Sequence, residues 1–310
     1  METLLSSRAL VRLAFLALVV VSVTSARADG DAPEPVGTSA PAGAEVVEAP
    51  SAEEVEDVLP AGGALGGREL YDRFLKNKRH LRTAHQRGRI LSADPGGHPQ
   101  KTEFWLQWKD YRDVNDDAVD GVYTKAVFRV AGPYEMRHTS YLYVERSDRE
   151  DEQFMYSPHR QRTSRVKIKG MNVAGTDFSF DDFLVSLDDI EDADYRRHDD
   201  EVLQGVSCYV VEAIMKPEAR SGYSRSIAYL EKEHYVPLRT RYWDEVGVEV
   251  KEIVSPHAKI EEFDGAWVPT ESVGTDLLEE THSTMHVDVL EPNPDLADEI
   301  FSVSRLALGP

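Results

Sequence analysis

The chain has 310 residues, 56 of them acidic against 35 Lys and Arg, for a formal net charge of −21. Hydrophobic residues make up 41% and aromatics 9%, too much apolar material for a wholly disordered chain. A single cysteine excludes an intramolecular disulfide framework and Cys-based zinc clusters, and the acidity argues against nucleic-acid binding.

Three segments differ in composition. In residues 1–28, Arg8 and Arg12 lead into an apolar run from Leu13 to Val23, followed by Ala26-Arg27-Ala28. This reads as a cleaved signal peptide, because the run is far shorter than the ~20 residues of a spanning helix. The alternative is an N-terminal helix left uncleaved as an anchor. The sole cysteine, Cys208, is far from the expected mature start, so no lipobox is expected and the periplasm is the predicted compartment. Residues 29–66 hold nine acidic residues, no basic one and no aromatic, and read as a disordered acidic Ala/Pro/Glu linker. The first segment carries +2 and the second −9, which leaves −14 on residues 67–310, the predicted folded domain.

That domain begins with an amphipathic helix over 68–82, in which Leu70, Phe74, Leu75 and Leu81 lie among Lys and Arg. Period-two alternation follows. Phe104, Leu106 and Trp108 share one face of the first strand; Val122, Thr124, Ala126, Phe128 and Val130 share one face of the next. A third strand carries Ser140, Leu142 and Val144, and further strands are predicted at 206–214, 223–231, 238–243, 248–254, 257–263, 267–273 and 282–290. Asp120-Gly121, Asp264-Gly265 and Gly96-Gly97 mark hairpin turns. The fold class is therefore mainly β: a large curved antiparallel sheet, an incomplete barrel, with the N-terminal helix and a short helical turn at 180–187 covering one face.

Catalytic signatures are missing: no Gly-x-Ser-x-Gly, no His-Glu-x-x-His, no phosphate-binding or dinucleotide loop. His282 and His286 would stand ~13 Å apart on a strand, too far to share a metal. Asp113-x-Asn115-x-Asp117 opens like a calcium loop but has Ala118 and Thr124 where Gly and Glu are required. The acidic run 181–201 reads as a solvated loop, and Cys208, within Gly-Val-Ser-Cys-Tyr-Val-Val, as buried and inert. No catalytic residue, metal or cofactor is expected, and the chain does not read as an enzyme.

Residues 154–183 depart from a plain strand pattern. A strand turns at Ser157-Pro158 into a basic ribbon of Arg160, Arg162, Arg165, Lys167 and Lys169, followed by Gly170, Met171, Gly175, Phe178 and Phe180. This suits a lid over an apolar cavity, with the arginines as a head-group or partner contact, or else as the charged face of an edge strand.

Five stretches in order carry a family resemblance: Phe154-Met-Tyr-Ser-Pro-His-Arg160, Gly175-Thr-Asp-Phe-Ser-Phe-Asp-Asp-Phe183, Gly205-Val-Ser-Cys-Tyr-Val-Val211, Glu231-Lys-Glu-His-Tyr-Val-Pro-Leu-Arg239 and Asp264-Gly-Ala-Trp-Val-Pro-Thr270. Spanning residues 67–306, the domain resembles the periplasmic outer-membrane lipoprotein-sorting proteins, the LolA-like group. The family more often has an aliphatic-Tyr-Leu-Pro sequence where this chain has Met155-Tyr156-Ser157-Pro158. The resemblance implies a half-barrel around a helical plug. It implies a carrier that binds a lipid or lipoprotein acyl chain in an apolar cavity and moves it toward the outer membrane, working with an inner-membrane exporter of the RND type or an outer-membrane acceptor. The alternative is a periplasmic sensor or protein-binding module of the same fold that regulates an envelope response. Phe104, Leu106, Trp108, Phe128, Met155, Phe178 and Phe180 are the candidate cavity and lid residues.

Overall fold

The computed structural model describes residues 65–308, apart from 94–95, 169, 184–187, 218 and 220. The signal-peptide expectation, and the linker expectation up to residue 64, fall on residues outside these; Leu65 packs against the core cluster and Gly66 directly precedes the first helix. One helix, α1 (Gly67–Lys78), precedes two meanders. The first comprises β1 (Thr83–Ala93), β2 (Pro99–Asp110), β3 (Val122–Gly132), β4 (Ser140–Arg146), β5 (Glu152–Ser157) and β6 (Arg162–Arg165). The second comprises β7 (Ala193–Leu203), β8 (Val206–Met215), β9 (Arg225–Glu231), β10 (Pro237–Trp243) and β11 (Glu249–Val254). A two-stranded hairpin of β12 (Ile260–Phe263) and β13 (Ala266–Pro269) follows, and then β14 (Glu271–Asp276) and β15 (Thr281–Pro292).

Thirteen strands form one antiparallel sheet in the order β6-β5-β4-β3-β2-β1-β15-β14-β11-β10-β9-β8-β7. The sheet does not close: β6 and β7 are its two edges. These edges are consecutive in the chain, and the described residues between them, 166–168, 170–183 and 188–192, include a stretch that lies on the sheet's inner face. Ile168, Val173, Phe178 and Phe180 are buried there against β1 to β4. Asp177 accepts hydrogen bonds from Ser283 and Thr281 of β15, and Asp182 pairs with Lys251 of β11. The expected plug is thus this crossing segment, with short 3-10 turns at Phe180–Asp182 and Asp188–Glu191.

The predicted alternation holds best in β2, where Phe104 and Leu106 point inward. In β3 and β4 both faces are buried, because the C-terminal segment lays Leu296, Phe301 and Leu306 over Val122, Val127, Leu142 and Val144 on the outer face. Gly88 marks a bulge between β1 and β15; a Cβ there would lie 2.5 Å from the His286 carbonyl oxygen and 2.7 Å from the Phe104 ring.

Three expectations are corrected. The helix ends at Lys78, and residues 83–93 are a strand. Its inner positions are Ala84, Gln86 and Gly88 before Ile90, so the sequence offers little hydrophobic alternation. The later part of the acidic run, 193–203, is the edge strand β7; backbone pairing with β8 sets it, and its charges suit an unpaired edge. The predicted strand at 267–273 is divided between β13 and β14. Among the described residues no helix is long and apolar enough to cross a membrane.

Candidate ligand cavity

A cavity of about 220 Å³ lies between the inner face of the sheet and the elements that cover it. Its floor is strand-built and follows the pleat. Leu106 and Trp108 of β2, Ala126 of β3 and Tyr143 of β4 are neighbours in register, since Trp108 pairs with Ala126 and Ala126 with Tyr143. Met285 and Val287 of β15, with Leu290, continue the wall past β1. The roof combines Leu75 and Leu81 around the end of α1, Val268 and Pro269 of β13, and Phe183 of the crossing segment.

Two contacts hold the roof. The Asn77 side chain donates to the Trp267 carbonyl at 2.7 Å and accepts from the Trp267 N–H at 2.9 Å, which ties α1 to β13. The Trp267 ring in turn stacks on His234, 3.7 Å between centroids. The roof is thus built from elements far apart in sequence.

One end of the cavity is charged. Arg112 sits 3.3 Å from Asp110 and 3.5 Å from Glu145, and all three side chains are less than a tenth exposed. Its guanidinium also donates to Thr124 Oγ1 at 3.1 Å and lies over the Tyr123 ring. Arg82 reaches Asp110 at 3.1 Å, so two cations face two carboxylates. Mutual neutralisation of this kind is what makes buried charges tolerable. Asp182 is similarly matched by Lys251, both nearly buried. The Tyr242 hydroxyl, desolvated by its surroundings and facing the Asp182 charge, is held neutral well above its usual range. Arg79, also in the wall, pairs with Asp116 through one terminal nitrogen.

The sequence-derived candidates separate into three groups. Leu106 and Trp108 line the cavity directly. Phe104, Phe128, Phe178 and Phe180, with partly buried Met155, form the packed cluster beside it. Phe104 stacks on Phe128 at 5.1 Å, Phe180 meets Phe128 edge-on at 5.3 Å, and Phe178 is fully buried. Arg160, Arg162 and Arg165 are exposed at the β5–β6 turn and on β6, where Arg165 lies over the Phe154 ring. The sequence reading missed Arg79, Arg112, Glu145 and Met285. Met285 and Glu145, at alternate positions of predicted strands, carried a signal; Arg79 and Arg112 carried none. Among the described residues no group of three or more His, Cys, Asp and Glu could hold a metal ion. His286 lies 3.4 Å from Glu271. Burial raises the Cys208 thiol above its usual range, which makes it unreactive.

An unclosed antiparallel sheet with a helix and a crossing plug on its inner face is a LolA-like half-barrel, and solved structures agree. A Vibrio parahaemolyticus domain described as an outer membrane lipoprotein-sorting protein superposes with a TM-score of 0.66 at 20% identity, covering 78% of this chain and 98% of that one. A DUF1329 family protein from Desulfovibrio piger gives 0.67 at 21% identity, over 76% and 97%. A LolA superfamily protein from Nitrosomonas europaea gives 0.56 at 14% identity, over 74% and 96%. No curated protein sequence matches the chain. Residues 123–307 match the model of a family described as "-like: Uncharacterized protein"; this is more than half of the chain, which belongs to that family.

Proposed function

We propose that the protein is a periplasmic carrier that binds an acyl chain of a lipid or lipoprotein in the inner cavity and delivers it toward the outer membrane. In this reading it is a binding protein and not an enzyme. The observation that carries the proposal is the cavity itself, an apolar-walled void under a helix and a plug in a LolA-like fold. Each methylene buried against this wall is worth about 0.8 kcal/mol, so a partly inserted chain is held and can also be released, which a carrier needs as much as capture.

Leu106 and Trp108 touch the chain directly. Phe104, Phe128, Met155, Phe178 and Phe180 back the wall and yield when a longer chain enters. The exposed Arg160, Arg162 and Arg165 contact head groups or an acidic partner, and an inner-membrane exporter or outer-membrane acceptor supplies and receives the cargo. Residues 1–28 serve as the export signal, 29–66 as a linker and 67–310 as the carrier domain.

Organic extraction of the purified protein followed by mass spectrometry tests the reading. Co-purifying acyl lipids, lost when Trp108 is changed to Asp, are expected. A protein that carries no acyl lipid and takes up none from vesicles would overturn it.

A further inference from the structure

One cation of the cavity wall has hydrogen-bonding capacity left over. Arg79 caps the C-terminus of α1, its backbone N–H donating to the Lys76 carbonyl at 3.1 Å. Its side chain, only 14% exposed, lies in the cavity wall near Leu75, Lys78 and Leu81. Nη1 pairs with Asp116, but Nε and Nη2 are buried with no hydrogen-bond partner among the described residues. The neighbouring charges are spoken for: Arg112 has Asp110 and Glu145, Asp182 has Lys251, and the Lys78 amine sits over the Phe74 ring. Asp116 is itself half exposed, so water screens its charge and leaves that of Arg79 under-compensated within the wall.

The Nε and Nη2 N–H bonds of an arginine are parallel and match two oxygens of one carboxylate or phosphate. Burying such donors without acceptors is unfavourable, so a ligand that brings acceptors gains by it. We infer that the cavity takes an acyl chain ending in an anionic oxygen pair, carboxylate or phosphate, and that the Nε–Nη2 edge of Arg79 holds that head group. The inference rests on the carrier reading above. The chain then lies over Leu106, Ala126 and Met285, with its head at the α1 end. Neither nitrogen is open to water in this structure, so the head group reaches the edge only with a rearrangement of the wall around it.

Isothermal titration of the protein with octanoate, octyl phosphate and octan-1-ol, and with acetate and inorganic phosphate, tests this. Expected is a preference of about 10-fold or more for a chained anion over the alcohol, the range of a charge-assisted hydrogen-bond pair. Arg79→Gln should erase that preference; Arg79→Lys, which offers no two-nitrogen edge, should erase most of it. In the unsubstituted protein the Arg79 Nε–H resonance should shift with octanoate and not with octan-1-ol, a readout that needs no variant. Equal binding of acid and alcohol, or a preference that survives Arg79→Gln, would overturn the head-group role while the apolar cavity stands. Acetate or phosphate binding as tightly as the chained anions would overturn the lipid as the source of the anion. If no chained compound binds at all, the carrier reading falls and the inference with it.

Discussion

Two parts of the same inner sheet face are covered in different ways. Over β7, β8 and β9 the cover is α1, and the space is filled: Leu70, Phe74 and Leu75 pack on Ala193, Val211, Ala213, Ala228 and Leu230. Three alanines let the helix lie close, and Gly67 completes the approach, since a Cβ there would come within 2.7 Å of the Arg196 backbone. Over β1 to β4 and β15 the cover is an irregular crossing segment plus the end of α1 and β13. The packed phenylalanines fill one part of that space, and the rest stays open beside Trp108, Ala126 and Met285. Curvature alone therefore does not make a cavity. A straight helix on small residues closes the groove, whereas a bent segment pinned at Asp177 and Asp182 spans it without filling it.

The largest expected effect lies where the hollow side keeps its charges. Arg112→Ala removes the buried cation that lies against both Glu145 and Asp110, while Asp110 keeps Arg82. A loss of about 3–5 kcal/mol in urea-unfolding stability is expected. A loss below ~1 kcal/mol would mean that water already reaches the cluster. One substitution made in each half tells the two apart. Ala213→Leu in the filled half forces extra volume under α1 and should destabilise by about 1–3 kcal/mol. Ala126→Leu, on the cavity floor, should change stability by less than about 1 kcal/mol, because the side chain extends into open space, yet should abolish acyl-chain uptake. Equal destabilisation at both sites would remove the distinction between the halves.

The strands of the hollow half were legible where inward residues are large. Phe104, Leu106 and Trp108 on β2 announce both the strand and its buried face. β1 was hidden because its inward positions are Ala84, Gln86 and Gly88, and β7 because an edge strand can carry Arg196, His198 and Asp200 without penalty. The cavity was beyond any local pattern. It exists because Gly88 pairs with Val287 and because β6 and β7 end up as opposite edges, both long-range facts. Arg79 and Arg112 read as ordinary surface charges until β3, β4 and β13 close around them. The LolA-like fold was legible from five short stretches in order, which join turn residues to parts of β5, β8, β10 and β13, so short sequences around strand ends can carry a fold's identity where a whole strand such as β1 does not.

The smallest effect concerns the outer face, where β3 and β4 depend on the C-terminal segment for their second layer. Asp298 fixes that segment by accepting from Lys109 Nζ at 2.7 Å and from the Tyr111 hydroxyl at 2.9 Å. These bonds hold its carboxyl below the usual carboxylate range. A folded-state pKa depressed in this way adds stability above the unfolded value, about 3.9, and that stability is lost as pH falls through the folded value. The side chain is 60% exposed, so screening limits the contribution to under about 1 kcal/mol. Asp298→Asn should therefore lower the urea midpoint slightly at pH 7 and converge with the unsubstituted protein once the pH has fallen through the depressed folded value. A difference between the two proteins that persists at low pH would mean that the segment is held by the packing of Phe301 and Leu306 and by geometry at residue 298, not by its charge.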